Sequence, residues 1–223
     1  MLVSWISGEE ESRGFRYRRK FTQVAMRILG VKLTVHGQAH PLPALYVGNH
    51  RSLLDPIIQL HYLDTYIVAK AEVSRYPLIG RGAHETGVVF VKRESNKSRA
   101  ASREAIKQLL QSGKSVLIYP EGTTSDVPTT QPFKIGSFEI ATELNIPIIP
   151  VAIDYADHEN YWHEIPMFRF FMRKFSKKKI VASLSIGEQI EGENAEQIME
   201  KAREWIGKEI QAKAEAKAEE GKA

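Results

Sequence analysis

His50 and Asp55, in the run Gly48-Asn49-His50-Arg51-Ser52-Leu53-Leu54-Asp55, are the residues of this chain whose types and spacing suit chemistry best. An imidazole titrates near neutral pH and can take a proton from a hydroxyl. A carboxylate on its far ring nitrogen fixes the tautomer and stabilises the imidazolium that forms. With 7 His and 27 acidic residues in the chain, such a spacing also arises by chance, so the flanking elements must be considered. Before the pair, Ala44-Leu45-Tyr46-Val47 reads as a short buried strand. After it, Pro56 with Ile57, Ile58 and Leu60 reads as a helix start, capped by Asp55 or Ser52. His50 is therefore expected in a strand-to-helix turn.

Three further segments follow in order. Gly87-Val88-Val89-Phe90-Val91-Lys92-Arg93 is an apolar run that ends on two cations. Tyr119-Pro120-Glu121-Gly122-Thr123 follows the apolar Val116-Leu117-Ile118, and Ile148-Ile149-Pro150-Val151-Ala152-Ile153 is apolar throughout. Taken with His50 and Asp55, these segments resemble the four blocks of the glycerolipid acyltransferases, the 1-acylglycerol-3-phosphate (lysophosphatidic acid) acyltransferase family. Together they span residues 44 to 153, and the ordered occurrence of the first three is more specific than any one alone.

The resemblance implies an acyltransferase of phospholipid synthesis, with His50 as base and Asp55 as its orienting partner. It implies substrate contacts from Asn49, Gly87, Phe90, Lys92, Arg93, Glu121, Gly122, Thr123 and Thr124, with Arg93 on the acceptor phosphate. Ile149 and Pro150 are expected in the wall of the acyl pocket. The implied donor is acyl-CoA or acyl-[acyl carrier protein], and the acceptor a lysophospholipid, first 1-acylglycerol-3-phosphate giving phosphatidic acid. The chain departs from the commonest pattern at Thr124, where an Arg is usual. That variant also resembles bacterial relatives that acylate other lyso-lipids, including lyso-ornithine lipid; Lys134 is a candidate for the missing charge. A different class, a non-catalytic lipid-binding or transfer module, would need an apolar pocket and a basic rim but neither His50 nor Asp55.

Composition narrows the chemistry. The chain lacks Cys, which excludes a thiolate nucleophile, a disulfide framework and a Cys-based metal site. No His-Glu-x-x-His run occurs among His36, His40, His61, His84, His158 and His163, which argues against a metal hydrolase. No metal site is expected, and no cofactor is expected to be bound permanently. Ser52 and Ser125 lie outside any Gly-x-Ser-x-Gly elbow, which favours direct attack by the acceptor hydroxyl over an acyl-enzyme.

The pattern of elements alternates. Strands are expected at 31–36, 44–48, 65–69, 87–91, 115–119, 147–153 and 180–186, and helices at 15–29, 55–62, 96–112, 134–144 and 194–213. Ser95 is a candidate cap for the third helix. This is an α/β domain around a largely parallel or mixed sheet. The expected division is an N-terminal amphipathic, membrane-surface segment over 1–30, an acyltransferase domain over 31–211, and a charged low-complexity tail over 212–223, frayed in solvent.

The net charge of +4 is clustered, with Arg13, Arg16, Arg18, Arg19 and Lys20 early and Arg169, Arg173, Lys174, Lys177, Lys178 and Lys179 late. Phe15, Phe21, Val24, Ala25, Ile28 and Leu29 among the first cluster suit a helix lying on an anionic bilayer, or one packed on the domain. Aromatics among the second cluster suit lipid headgroups better than nucleic acid, for which no motif is present. A spanning segment and a signal peptide are not expected, so attachment should be peripheral, at the cytoplasmic face of a membrane.

Overall fold

In the computed structural model, residues 8–41, 43–71, 87–91, 96–162, 165–175 and 179–220 are described below. Among these residues six α-helices are α1 (Gly8–Ile28), α2 (Asp55–Tyr62), α3 (Asn96–Gln111), α4 (Gly136–Glu143), α5 (Met167–Phe175) and α6 (Ala195–Glu220). Seven strands are β1 (Val31–His36), β2 (Leu45–Gly48), β3 (Tyr66–Lys70), β4 (Val88–Val91), β5 (Val116–Ile118), β6 (Ile148–Tyr155) and β7 (Ile180–Ile186).

The strands form one sheet in the order β1-β7-β6-β2-β5-β3-β4. Every pairing is parallel except β6 with β7. Central strands read as unbroken apolar runs because both faces are covered. Leu45, Val47, Val116, Ile118, Ile148 and Ala152 face one core layer with α3, α4 and α6. Tyr46, Leu117, Ile149, Val151 and Ile153 face the other, with α2 and Phe170 of α5.

This sheet places the site. β2 lies at its centre, with β6 on one side and β5 on the other. In open parallel sheets the crevice outside the carboxyl ends of such central strands is where ligands bind. The segments after β2 and β5 and the end of β6 all emerge on that edge, because the three strands run the same way.

Several expectations change. α1 begins at Gly8, ahead of the expected residue 15, with Glu9, Glu10 and Glu11 in its first turn, where acidic side chains favour the positive end of a helix. Met167–Phe175 forms a helix of its own. The tail expected to fray instead extends α6 to Glu220, consistent with the high helix propensity of Ala, Glu and Lys. Its Lys213 bonds Ser185 Oγ at 2.6 Å. Ser95 lies outside the described residues.

The face expected of α1 is also divided. Phe15 and Leu29 are core, whereas Phe21, Val24 and Ile28 are exposed beside Tyr17. Arg18 is buried, donating to Thr65 O at 2.7 Å and Leu63 O at 2.8 Å, and so anchors the helix to the domain rather than meeting solvent. Burial lowers its guanidinium to about 10, against the opposing field of Asp64.

Candidate active site

The turn after β2 is short, and Asp55 organises it. Its carboxylate is fully buried at the first residue of α2, with Pro56 next in the helix. Asp55 or Ser52 was expected to cap the helix; the residue at the cap position is Leu54, whose own side chain makes no capping hydrogen bond. Instead Oδ2 accepts from the backbone N–H of Arg51 at 2.6 Å and of Ser52 at 2.8 Å, so the carboxylate folds the turn that precedes the helix. Ser52 Oγ accepts from Leu54 N at 3.3 Å and serves the same turn.

The same Oδ2 lies 2.8 Å from His50 Nδ1. Two backbone donors already point at that oxygen, so it is an acceptor and Nδ1 carries the proton. Nε2 is left as the basic nitrogen on a side chain that is 17% exposed. The ring stacks on Tyr119, with centroids 4.1 Å apart and planes 8° from parallel. Tyr119 donates to Gln59 Oε1 at 2.8 Å, and a side chain at Gly48 would meet both residues. Gly48 thus leaves room for the aromatic floor beneath the imidazole. On the far side, Tyr155 Oη donates to Asp55 Oδ1 at 2.6 Å.

Glu121 ties the turn after β5 to this arrangement. One oxygen accepts from His50 N at 3.1 Å and the other from Gln131 N at 3.0 Å. Burial pushes its carboxyl up, with the Gln131 and His50 hydrogen bonds opposing. Gly122 has φ +78°, and a Cβ there would stand 2.3 Å from Lys134 Nζ, so the lysine lies directly over the turn. Thr123 is exposed beside it, whereas Thr124 and Ser125 are buried, and Ser125 N donates to His50 O at 2.9 Å.

Asn49 is committed elsewhere. Its amide bonds Ile153 O and Ile153 N, each at 2.8 Å, and so splices the end of β2 to β6. Gly87 is not brought to His50: it precedes β4, whose Val88 is level with Ile67 and hence with Leu117. With φ +87° it packs under Phe15 and Arg18 at the opposite edge of the sheet. Phe90 is half-buried on the edge strand. Ile149 and Pro150, expected together in the wall of the acyl pocket, lie on opposite faces of β6, since successive strand residues face opposite sides. Ile149 lies in the α2 layer, and Pro150 meets Gly187, where a Cβ would also touch Trp205. Lys92 and Arg93 lie outside the described residues; the chain leaves β4 at Val91 on the edge that carries His50. Among the described residues no three His, Asp or Glu side chains gather as a metal ligand set.

Arg51 was not singled out from the sequence. Buried beside His50, it donates to the carbonyls of Val127, Pro128 and Thr129 at 3.0 to 3.1 Å, faces Asp154 at 3.6 Å, and lies over the Tyr161 ring. The loop after Glu121 therefore takes its shape from one guanidinium. Arg51→Ala is expected to cost about 3 kcal/mol, because it removes several hydrogen bonds and leaves Asp154 buried without its cation. Urea denaturation measures the loss, and limited proteolysis should show new cutting between residues 125 and 131. An unchanged midpoint and digestion pattern would mean that the loop holds its shape without Arg51.

Comparison with known proteins places this geometry. The acyltransferase family model matches residues 32–154, more than half of the chain, including the turns after β2 and β5 that carry His50, Asp55 and Glu121. The chain belongs to the acyltransferase family. Within the family, a chloroplast 1-acyl-sn-glycerol-3-phosphate acyltransferase of Brassica napus is 31% identical over 62% of this chain and 44% of its own length. The lyso-ornithine lipid O-acyltransferase of Pseudomonas aeruginosa is 31% identical over 69% of this chain and 62% of its own. A 1-acyl-sn-glycerol-3-phosphate acyltransferase of Neisseria gonorrhoeae is 29% identical over 58% and 51%. This acyltransferase-family chain thus aligns with roughly half of the length of these relatives. The crystal structure of the 1-acyl-sn-glycerophosphate acyltransferase of Thermotoga maritima superposes with a TM-score of 0.73 over 93% of this chain and 83% of that one, at 22% identity, and so shares its fold.

Proposed function

We propose that the chain transfers a fatty acyl group from a thioester, acyl-CoA or acyl carrier protein, to the hydroxyl of a lysophospholipid, with 1-acylglycerol-3-phosphate as acceptor and phosphatidic acid as product. The observation that carries this reading is the His50 imidazole, held through Nδ1 by a buried carboxylate with Nε2 free to act as base. The acceptor hydroxyl loses its proton to Nε2 as its oxygen attacks the thioester carbonyl. Collapse of the tetrahedral intermediate forms the ester and breaks the carbon–sulfur bond, and the departing thiolate recovers the proton from His50. Asp55 stabilises the imidazolium between those events. Lys134, over Gly122, and Lys92 with Arg93, after β4, are the cations assigned to the acceptor's phosphate.

Thr124 supports a second acceptor. It is buried where a family Arg is usual, which suits a lyso-lipid without phosphate, such as lyso-ornithine lipid. One labelled acyl donor offered with both acceptors separates the two, and no transfer to either, with lipid still bound, would favour a lipid-transfer module.

Attachment to an anionic membrane surface is part of the same proposal. No helix among the described residues is long and apolar enough to cross a bilayer. α1 instead exposes Tyr17, Phe21, Val24 and Ile28, flanked by exposed Arg13, Arg16 and Lys20. On α5, Phe168 and Met172 are exposed beside Arg169 and Arg173. Such apolar rows edged with cations suit the headgroup region. Neutralising Arg13, Arg16 and Lys20 together should weaken binding to phosphatidylglycerol vesicles by about 3 kcal/mol, near a hundredfold, measured by sedimentation. Equal binding by wild type and variant at low salt would remove these cations from the surface.

A further inference from the structure

Tyr155 stands at the end of β6, a hundred residues along the chain from Asp55, and among the described residues it is the one side chain besides His50 that bonds the Asp55 carboxylate. The two oxygens of Asp55 are not equivalent. Oδ2 is shared by three donors, while Oδ1 has the Tyr155 hydroxyl. A hydroxyl donated to a buried carboxylate draws off part of its charge, and that charge is what stabilises the imidazolium on the other oxygen.

We propose that Tyr155 is a positioning residue that sets the proton affinity of His50 through its hydrogen bond to Asp55 Oδ1. The proposal rests on His50 acting as the base. Other charged or titratable groups around the pair are already engaged. From the end of β5, Tyr119 stacks on the imidazole and bonds Gln59, and Glu121 holds His50 N. From the turn itself, Arg51 faces Asp154, which also accepts from Tyr161 at 2.7 Å. Burial and the adjacent Asp55 carboxylate push the Tyr155 phenol well up, so its hydroxyl remains a donor throughout a working pH range.

The sign follows. Tyr155→Phe leaves Oδ1 with its full charge, the imidazolium gains stability, and neutral His50 is reached only at higher pH. The acid limb of kcat/KM should move up by roughly 0.5 to 1 pH unit. Replacing Tyr155 with 3,5-difluorotyrosine, a stronger donor of nearly the same shape, should move it down. The second variant keeps the test decisive where Tyr155→Phe lowers the yield of folded protein.

Titrating the His50 ring by nitrogen-15 NMR without substrate should give the same two displacements. An acid limb and ring titration that stay in place in both variants, even where melting falls, would overturn the proposal and leave Tyr155 as packing. Ring titrations that move as stated in a protein without acyl-transfer activity would support the hydrogen-bond role and defeat the proposed reaction instead.

Discussion

His50→Ala is expected to lower acyl transfer by about 10² to 10⁴-fold, the usual contribution of a positioned general base, while the protein still folds. The structure separates the two effects. Losing the imidazole removes its stack on Tyr119, worth about 0.5 to 1.5 kcal/mol. It orphans no buried group, because Asp55 Oδ2 keeps the N–H groups of Arg51 and Ser52. Single-turnover kinetics beside a melting curve give both quantities. The vacated space has an aromatic floor and a carboxylate wall, so added imidazole should restore part of the rate. Activity within a few-fold of wild type would end the base assignment and leave lipid binding as the better reading.

How much of this arrangement was legible in advance depended on the range of the contacts. The His50–Asp55 pair is local, held in one turn between a strand and a helix whose apolar patterns announce themselves. The alternation of the sheet was legible for the same reason, since strand and helix periods are properties of short windows. Tyr155 and Arg51 gave no such signal. Each acts on a segment brought near by sheet order, Tyr155 from β6 onto α2 and Arg51 onto the loop at 127–129. Asn49 shows the opposite failure: a polar residue beside the base invites a substrate role, but its amide is occupied in joining β2 to β6. Gly87 lies in an apolar run whose direction fixes which end meets the site, and that direction is known only once β4 is paired parallel to β3. The exposed stripe on α1 was visible as composition, but its composition did not reveal that Phe15, Arg18 and Leu29 turn inward.

Asp55→Asn is expected to retain the fold and reduce turnover by about 10² to 10³-fold, less than where an amide forces the wrong imidazole tautomer. The donors around Asp55 decide which way the amide points. Arg51 N and Ser52 N are fixed backbone donors, so the Asn carbonyl oxygen must take the Oδ2 position, where it still accepts from His50 Nδ1. The amide nitrogen then faces Tyr155, whose hydroxyl can rotate to accept and turn its proton towards the neighbouring Ser52 side chain. The tautomer survives and only the charge is lost. Imidazolium is then less stable, His50 becomes a weaker base, and the acid limb of the rate profile moves to lower pH, opposite in sign to Tyr155→Phe. Asp55→Ala should behave differently, since it orphans two buried backbone N–H groups and removes the carboxylate that accepts from Tyr155, at a cost of about 3 kcal/mol or more. Rate and stability measured on both variants tell charge from scaffolding. A near-normal rate in Asp55→Asn would reduce Asp55 to a structural organiser of the turn, whereas a low rate with an unmoved melting point would place its charge in the chemistry.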